Sequence, residues 1–185
     1  EALSFVAPDE PVEIWQIKVE NLDDKKRSLK FYPYAEWLLQ GYPMQSDYIS
    51  YLKSEFIEDI NTIIGNNTSD ERPHRRYTGF VASDVKATGY TGSARQFMGT
   101  YGDAARPENV ITGKCSNAPT SNEVLAGALE LPVTLEKGAS TVVTILIGNT
   151  SDDINETRRI VKKMLEPGYI DRLYKHLLED GEKTA

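Results

Sequence analysis

A chain of 185 residues, 39% hydrophobic and 26% charged, has the length and composition of one globular domain with a sizeable core; neither disorder nor a membrane span is expected. Twenty-eight carboxylates against 21 lysines and arginines, a net charge of −7, disfavour a phosphate-backbone ligand, so no nucleic-acid partner is expected. One cysteine, Cys115, excludes an internal disulfide and a multi-cysteine metal site, and His74 and His176 lie too far apart for zinc-ligand spacing, so no metal is expected.

The opening residues Glu-Ala-Leu-Ser-Phe-Val lack the basic and apolar regions of a signal peptide, so the chain is expected to be cytoplasmic or cut from something longer. Trp15, Ile17 and Val19 alternate with Gln16, Lys18 and Glu20, and the polar run 21–27 turns the chain toward residues 28–36. This predicts a hairpin with one wet face and Trp15 in the core. Shorter β-like runs are expected at 56–64, at 77–83 and around Val110. The run Arg72-Pro-His-Arg-Arg76 stands between two loop signals and reads as a solvated turn. Asn66, Asn67, Asn149 and Asn155 begin N-x-Ser/Thr sequons, read as chance without a secretion signal.

Residues 90–103, YTGSARQFMGTYGD, carry three glycines, two tyrosines, a phenylalanine and an arginine with no sustained period, which predicts a structured loop. Its rings are either core or presented. Leu125, Gly127, Leu129, Leu131, Val133 and Leu135 then alternate without a break, Glu136-Lys-Gly138 supplies a short loop, and 141–147 returns as a β-branched strand. A second hairpin is expected there, with Pro132 at an edge or a bulge. After Gly148, Asp153 and Glu156 have capping-box spacing, and Ile154, Val161 and Leu165 share one helical face before Pro167-Gly168. Ile170, Leu173, Tyr174, Leu177 and Leu178 fit a second amphipathic helix. The fold class expected is therefore mainly β: an antiparallel β-sandwich over 1–148, then two helices near 152–165 and 169–179 within a segment 149–185.

Two segments carry a resemblance. Phe5 to Asn21, FVAPDEPVEIWQIKVEN, followed by Leu29 to Trp37, LKFYPYAEW, resembles the strand pair in the amino-terminal region of family 94 glycoside phosphorylases, the group of cellobiose, cellodextrin, laminaribiose and chitobiose phosphorylases. Arg95, Phe97, Gly99, Tyr101 and Pro107 are similar to that family's Arg, Phe, Gly-x-Tyr segment, and 125–148 is similar to the hairpin closing its sandwich. The match runs over about residues 5–180. Gly92 departs from it, standing where the family usually has an acid three places before the arginine.

The resemblance implies part of a galactose-mutarotase-like supersandwich, with 149–185 as helical linker toward an (α/α)6 barrel that holds the catalytic acid and the phosphate site. It implies a cytoplasmic homodimer acting on β-linked gluco-disaccharides or oligosaccharides, with inorganic phosphate as co-substrate and no cofactor. Residues 90–103 then become an inter-subunit element: Phe97 its anchor, and Arg95, Tyr90 and Tyr101 at the substrate rim or the subunit contact. Arg95 either meets sugar or pairs locally with a carboxylate such as Asp103.

The residues themselves offer no catalytic centre. Inverting phosphorolysis needs a carboxylic acid and a cationic pocket for phosphate. The pairs Asp23-Asp24, Asp152-Asp153 and Glu179-Asp180 read as turn or cap chemistry, and neither histidine is placed to activate Cys115. Two functions remain: a non-catalytic domain of a phosphorylase, or a free-standing carbohydrate-binding sandwich using Trp15, Trp37, Tyr42, Tyr48, Tyr51, Tyr90 and Tyr101 as stacking faces.

Overall fold

The computed structural model describes residues 1–39, 52–67, 77–151 and 153–184, the last five of these by backbone alone. Tyr42, Tyr48, Tyr51, the basic run 72–76 with His74, Asp152 and the Asp180 side chain therefore lie outside the described residues. Among the described residues eleven strands form two antiparallel sheets. The larger has the order β1 (Ala2–Val6), β2 (Val12–Glu20), β11 (Ser140–Ser151), β7 (Tyr77–Ser83), β6 (Thr62–Asn67), β5 (Leu52–Ile57) and β9 (Thr120–Ser121). The smaller is built around β10 (Leu125–Leu135), with β8 (Gly89–Ser93) on one side and β3 (Arg27–Phe31) and β4 (Tyr34–Glu36) on the other. Leu131 pairs with Phe31 and Ala128 with Tyr34 in one continuous register, so β3 and β4 are a single strand broken at Tyr32-Pro33.

Neither expected hairpin forms. β2 pairs with β1 and β11, whereas β3 pairs with β10; likewise β10 and β11 belong to different sheets. Both connections, 21–26 and 136–139, are arches that carry the chain from one layer to the other. Asn21 joins them. Buried at 6% exposure, its side-chain amide donates to the carbonyls of Lys25, Leu135 and Glu136, while its backbone exchanges bonds with Ala139 and Gly138. The run 56–64 is also not one strand: β5 and β6 form a hairpin across the 3-10 turn Glu58–Ile60, with Asn61 left-handed at φ 50°. Val110 lies in a helix, α2 (Glu108–Thr112), not in a β run.

Pro132 fits its place for a geometric reason. The Leu129 N–H donates to Pro33, so odd residues of β10 point their amides at β3 and β4, and even ones point the other way. On that other side β8 has ended at Gly89, opposite Glu130. The amide that proline lacks has no ladder partner to lose.

Between the sheets, Leu129, Leu131, Val133 and Leu135 meet Ile63, Val81, Val143 and Ile145. Trp37 enters this layer as a wedge. A methyl group on Gly65, Gly79 or Gly127 would come within 3.0 Å of its indole, so one glycine from each of β6, β7 and β10 makes the slot. Trp15, Ile17 and Val19 line the same layer, half-buried, and the Trp15 indole donates to Glu13 at 2.6 Å.

The opposite face of β2 is wet only toward its end, where Lys18 and Glu20 are exposed. Val12 and Ile14 pack with Phe80 and Leu146 against Ile160, Val161 and Met164 of α3 (Ile154–Met164) and Ile170 of α4 (Tyr169–Thr184). The large sheet is thus covered by strands on one side and helices on the other. The apolar stripe of α3 is consumed within the chain, against the large sheet. Glu10, in the β1–β2 turn, fastens α3: Arg159 grips its carboxylate through both terminal guanidinium nitrogens at 2.8 and 2.9 Å, and Lys163 adds a third bond at 2.7 Å.

Two expectations follow from this packing. Gly127→Ala drives a methyl into the Trp37 indole and lowers stability by about 1–3 kcal/mol in urea melts; a neutral result removes the slot as a constraint. The Arg159 hydrogen bonds, against the opposing effect of burial and with help from Lys163, hold the Glu10 carboxyl down at about 2, below its ordinary 4.5. A depressed folded-state value stabilises above the unfolded one, so the stability gap between wild type and Glu10→Gln is complete above about pH 4.5 and closes as pH falls toward 2. A gap that does not vary with pH refutes the linkage.

Candidate functional site

The stretch expected as a loop is instead a strand followed by a helix. β8 runs beside β10 to Ser93, whose hydroxyl accepts from the Gln96 amide at 3.2 Å and so starts α1 (Ala94–Met98). Gly99, at φ 85°, ends it; a side chain there would strike Glu108. The Asp103 carboxylate then accepts from the amides of Ala105 and Arg106 at 2.9 and 3.0 Å, and α2 follows from Pro107, closed by Gly113 at φ 69°.

This local geometry separates the named residues. Phe97 is 3% exposed and stacks on Tyr34 with ring centres 4.5 Å apart, fixing α1 to the small sheet. Tyr90 turns inward: its ring stacks on Phe56 at 4.8 Å and its backbone exchanges bonds with Asn117, so its face is occupied inside the sandwich. Tyr101 is the opposite case, fully exposed. Arg95 is exposed and forms no ion pair among the described residues, while Asp103 is spent on its own turn.

Arg95 and Tyr101 border adjoining grooves. One, of about 470 Å³, is lined by Arg95, Gln96, Glu108, Lys114, Ser116 and Glu123; the other, of about 630 Å³, by Met98, Tyr101, Arg106, Glu108 and Ile111. They meet at Thr100 and Glu108. Donors and acceptors of both signs beside an exposed ring suit a polyhydroxylated ligand better than an anion or an oil.

The wall carrying Lys114, Cys115 and Ser116 is held by Glu130, which alternates with the inward-facing leucines of β10. Glu130 is buried at 6% exposure; it accepts from Lys30 Nζ at 2.6 Å, the Cys115 amide at 3.0 Å and the Thr88 hydroxyl at 3.1 Å. Burial pushes its carboxyl up, but these bonds together outweigh burial and hold it below the usual range. Lys30 also donates to the Gly113 carbonyl at 2.7 Å, closing the link from β3 to the end of α2. Nearby, burial pushes the Cys115 thiol up, which is the reverse of what a nucleophile needs. Of the adjacent acid pairs, Asp23 binds Arg27 and Asp153 caps α3 by accepting from the Asn155 amide; Glu179 is exposed on α4. No signal in the sequence marked Glu130, because its partners arrive from segments 15 to 100 residues away.

Comparison with known proteins agrees with this architecture. The family model of the glycosyl hydrolase 94 supersandwich domain matches residues 1–167, and the chain belongs to that family. It is 38% identical to a solabiose phosphorylase of Paenibacillus borealis over 98% of its own length and 23% of the relative's. It is 30% identical to the cyclic beta-(1,2)-glucan synthase NdvB of Rhizobium meliloti (strain 1021) over 89% of the chain and 6% of that protein. An N,N'-diacetylchitobiose phosphorylase of Vibrio furnissii is 26% identical over 78% of the chain and 18% of the relative. The chain thus spans less than a quarter of these curated relatives. A solved putative kojibiose phosphorylase from human microbiome superposes with TM-score 0.50 at 12% identity, over 94% of this chain and 20% of that one, which speaks to fold alone.

Glu130→Leu leaves the Cys115 amide without its acceptor, and it is expected to cost about 1–3 kcal/mol and to speed amide exchange at Cys115. Glu130→Gln keeps that acceptor and should slow the loss. Equal exchange in both variants would show that the carboxylate does not hold the wall.

Proposed function

We propose that the chain is the non-catalytic sandwich domain of an inverting glycoside phosphorylase that acts on β-linked gluco-disaccharides or oligosaccharides with inorganic phosphate as co-substrate. The observation that carries this reading is a family match over residues 1–167 by a chain that amounts to 23% of its solabiose phosphorylase relative. A relative named as a glucan synthase contains the same domain. Proteins named for different reactions share the sandwich, so it is a poor place to look for the reacting groups. In this reading the acid and the phosphate site belong to an (α/α)6 barrel of the same polypeptide, and the protein works in the cytoplasm as a homodimer.

The end of the domain bearing Arg95 and Tyr101 then serves the rim of an active site, across the subunit contact. Phe97 holds the segment down while the guanidinium has no ion pair among the described residues. Such a group can fork hydrogen bonds to vicinal hydroxyls without first breaking an ion pair. Tyr90 is left out of this role, since its ring is stacked on Phe56.

In the longer protein that carries this chain, Arg95→Ala is expected to lower kcat/KM for disaccharide cleavage at least about tenfold, equivalent to 1.4 kcal/mol, with Tm nearly unchanged. Wild-type kinetics would make the arginine mere surface. The 185-residue chain alone should release no phosphate from glucose 1-phosphate with a sugar acceptor, and release above a buffer control would overturn the non-catalytic reading.

A further inference from the structure

Three turns of the chain meet where β5 ends, β6 begins and β7 ends. The 3-10 turn Glu58–Ile60, the connection from β7 to β8, and the corner between α3 and α4 enclose a cavity of about 680 Å³, a volume within the range of small-ligand sites. It is separate from the grooves beside Arg95 and Tyr101: β8 starts at this cavity, α1 leaves from its other end, and no lining residue is shared.

The walls are pinned. Asn61, left-handed at φ 50°, donates from its side-chain amide to the carbonyls of Ser83 at 2.9 Å and Val85 at 2.8 Å, and its side-chain oxygen accepts from the Ala87 amide at 2.8 Å. One carboxylate oxygen of Asp84 accepts from the Thr144 amide at 2.9 Å and fixes the same connection to β11. On the opposite wall, Arg158 of α3 donates twice to Asp59, at 3.2 and 3.3 Å. The shape is therefore set before a ligand arrives, which spares binding the cost of ordering loops.

The lining narrows the chemistry. Ile60 and Val161, both buried, form an apolar floor with half-buried Phe56 and Leu165 and with Pro167. Around it Glu58, Asp84, Glu166, Lys86 and Lys162 are exposed and form no ion pair among the described residues. Carboxylates and ammonium groups nearly balance there, so the field selects neither an anion nor a cation, and a charged rim disfavours an oil. The fitting ligand is uncharged, with an apolar face and a hydroxylated edge. A β-linked glucosyl ring has both, because its equatorial substituents leave flat C–H faces while its hydroxyls donate to carboxylates and accept from ammonium groups.

We propose that this cavity is a second carbohydrate site, which takes a β-linked gluco-oligosaccharide with one sugar ring on the floor beside Phe56 and its hydroxyls on Glu58, Asp84, Glu166, Lys86 and Lys162. A smaller hollow of about 250 Å³ adjoins it at the α3–α4 corner, sharing Asp84, Glu166 and Pro167 and adding Gln16 and Thr144, so a chain of several sugars has a path across the corner. The proposal does not depend on the role given to Arg95.

The test uses the longer protein that carries this chain, in phosphate-free buffer, with cellotetraose bearing a diazirine on its reducing-end unit as the probe. After irradiation, label is expected in peptides covering 56–61, 83–87 and 161–167, and untagged cellotetraose should compete it away. Glu58→Ala combined with Glu166→Ala, both at exposed positions, should lower that label at least about fivefold with Tm nearly unchanged. Arg95→Ala should leave it at the wild-type level, whatever that variant does to cleavage. No label in these peptides, as when another part of the polypeptide fills the cavity, overturns the proposal. So does label that survives competition, ignores the double substitution or falls with Arg95→Ala.

Discussion

The position of the small sheet depends on one indole. Trp37 follows directly on β4 and lies flat between the layers, where any side chain at Gly65, Gly79 or Gly127 would collide with it. Gly65 and Gly79 are cross-strand neighbours, so the larger sheet presents a smooth patch two strands wide, and Gly127 on β10 closes it from above. Close packing without voids then fixes the lateral position of β10 over β6 and β7. The cost is visible: the Trp37 N–H is buried with no acceptor among the described residues. An orphaned donor of this kind costs on the order of 1–3 kcal/mol, while a buried aromatic ring contributes more than that through packing.

Once β10 is fixed, the two arches follow. β10 must leave for the large sheet at Leu135, and β2 must arrive at the small sheet at Arg27, at the same corner of the molecule. Two reversals so close together leave several carbonyls facing inward with no ladder partner. Asn21 supplies the donors, and it does so for both arches at once. The corner is therefore a single polar unit inside an apolar layer, affordable because each of its bonds is made. On the outer face, the Glu10 grip on Arg159 and Lys163 performs the comparable task for α3, setting the helix across β11 and β7 with Ile160 and Met164 in one cluster with Ile14 and Phe80.

These same features explain what could be read from the sequence. Alternation reports which face a side chain takes, and the strands at 12–20, 77–83 and 125–135 and both late helices stand where periodicity put them. Alternation says nothing of which edge a strand pairs along. An arch of four residues with Gly138 at φ 68° has the composition of a hairpin turn, and only the position of β10, set by a tryptophan some ninety residues earlier, decides otherwise. The wet face of β2 extends only over Lys18 and Glu20 for a related reason: Val12 and Ile14 in the same phase are covered by helices more than 140 residues away in the chain. Phe97 and Arg95 were separable in advance, as the apolar and cationic members of one short segment. Tyr90 was not, because its partner Phe56 comes from a distant hairpin.

The arrangement also divides the surface by how each part is held. At the Arg95 end, α1 and α2 are only five residues each, too short to persist alone, and they stay folded through Phe97 on Tyr34, Asn109 on Thr91, and the Glu130 link to Cys115. Phe97, Tyr34, Thr91 and Glu130 lie outside the grooves, while Asn109 and Cys115 also line the one beside Arg95. The exposed groove residues can then differ with little effect on the fold, while the anchors stay fixed by the core. A domain built this way is set from inside, by Trp37 and its glycines, and leaves the exposed residues of this end with few structural duties.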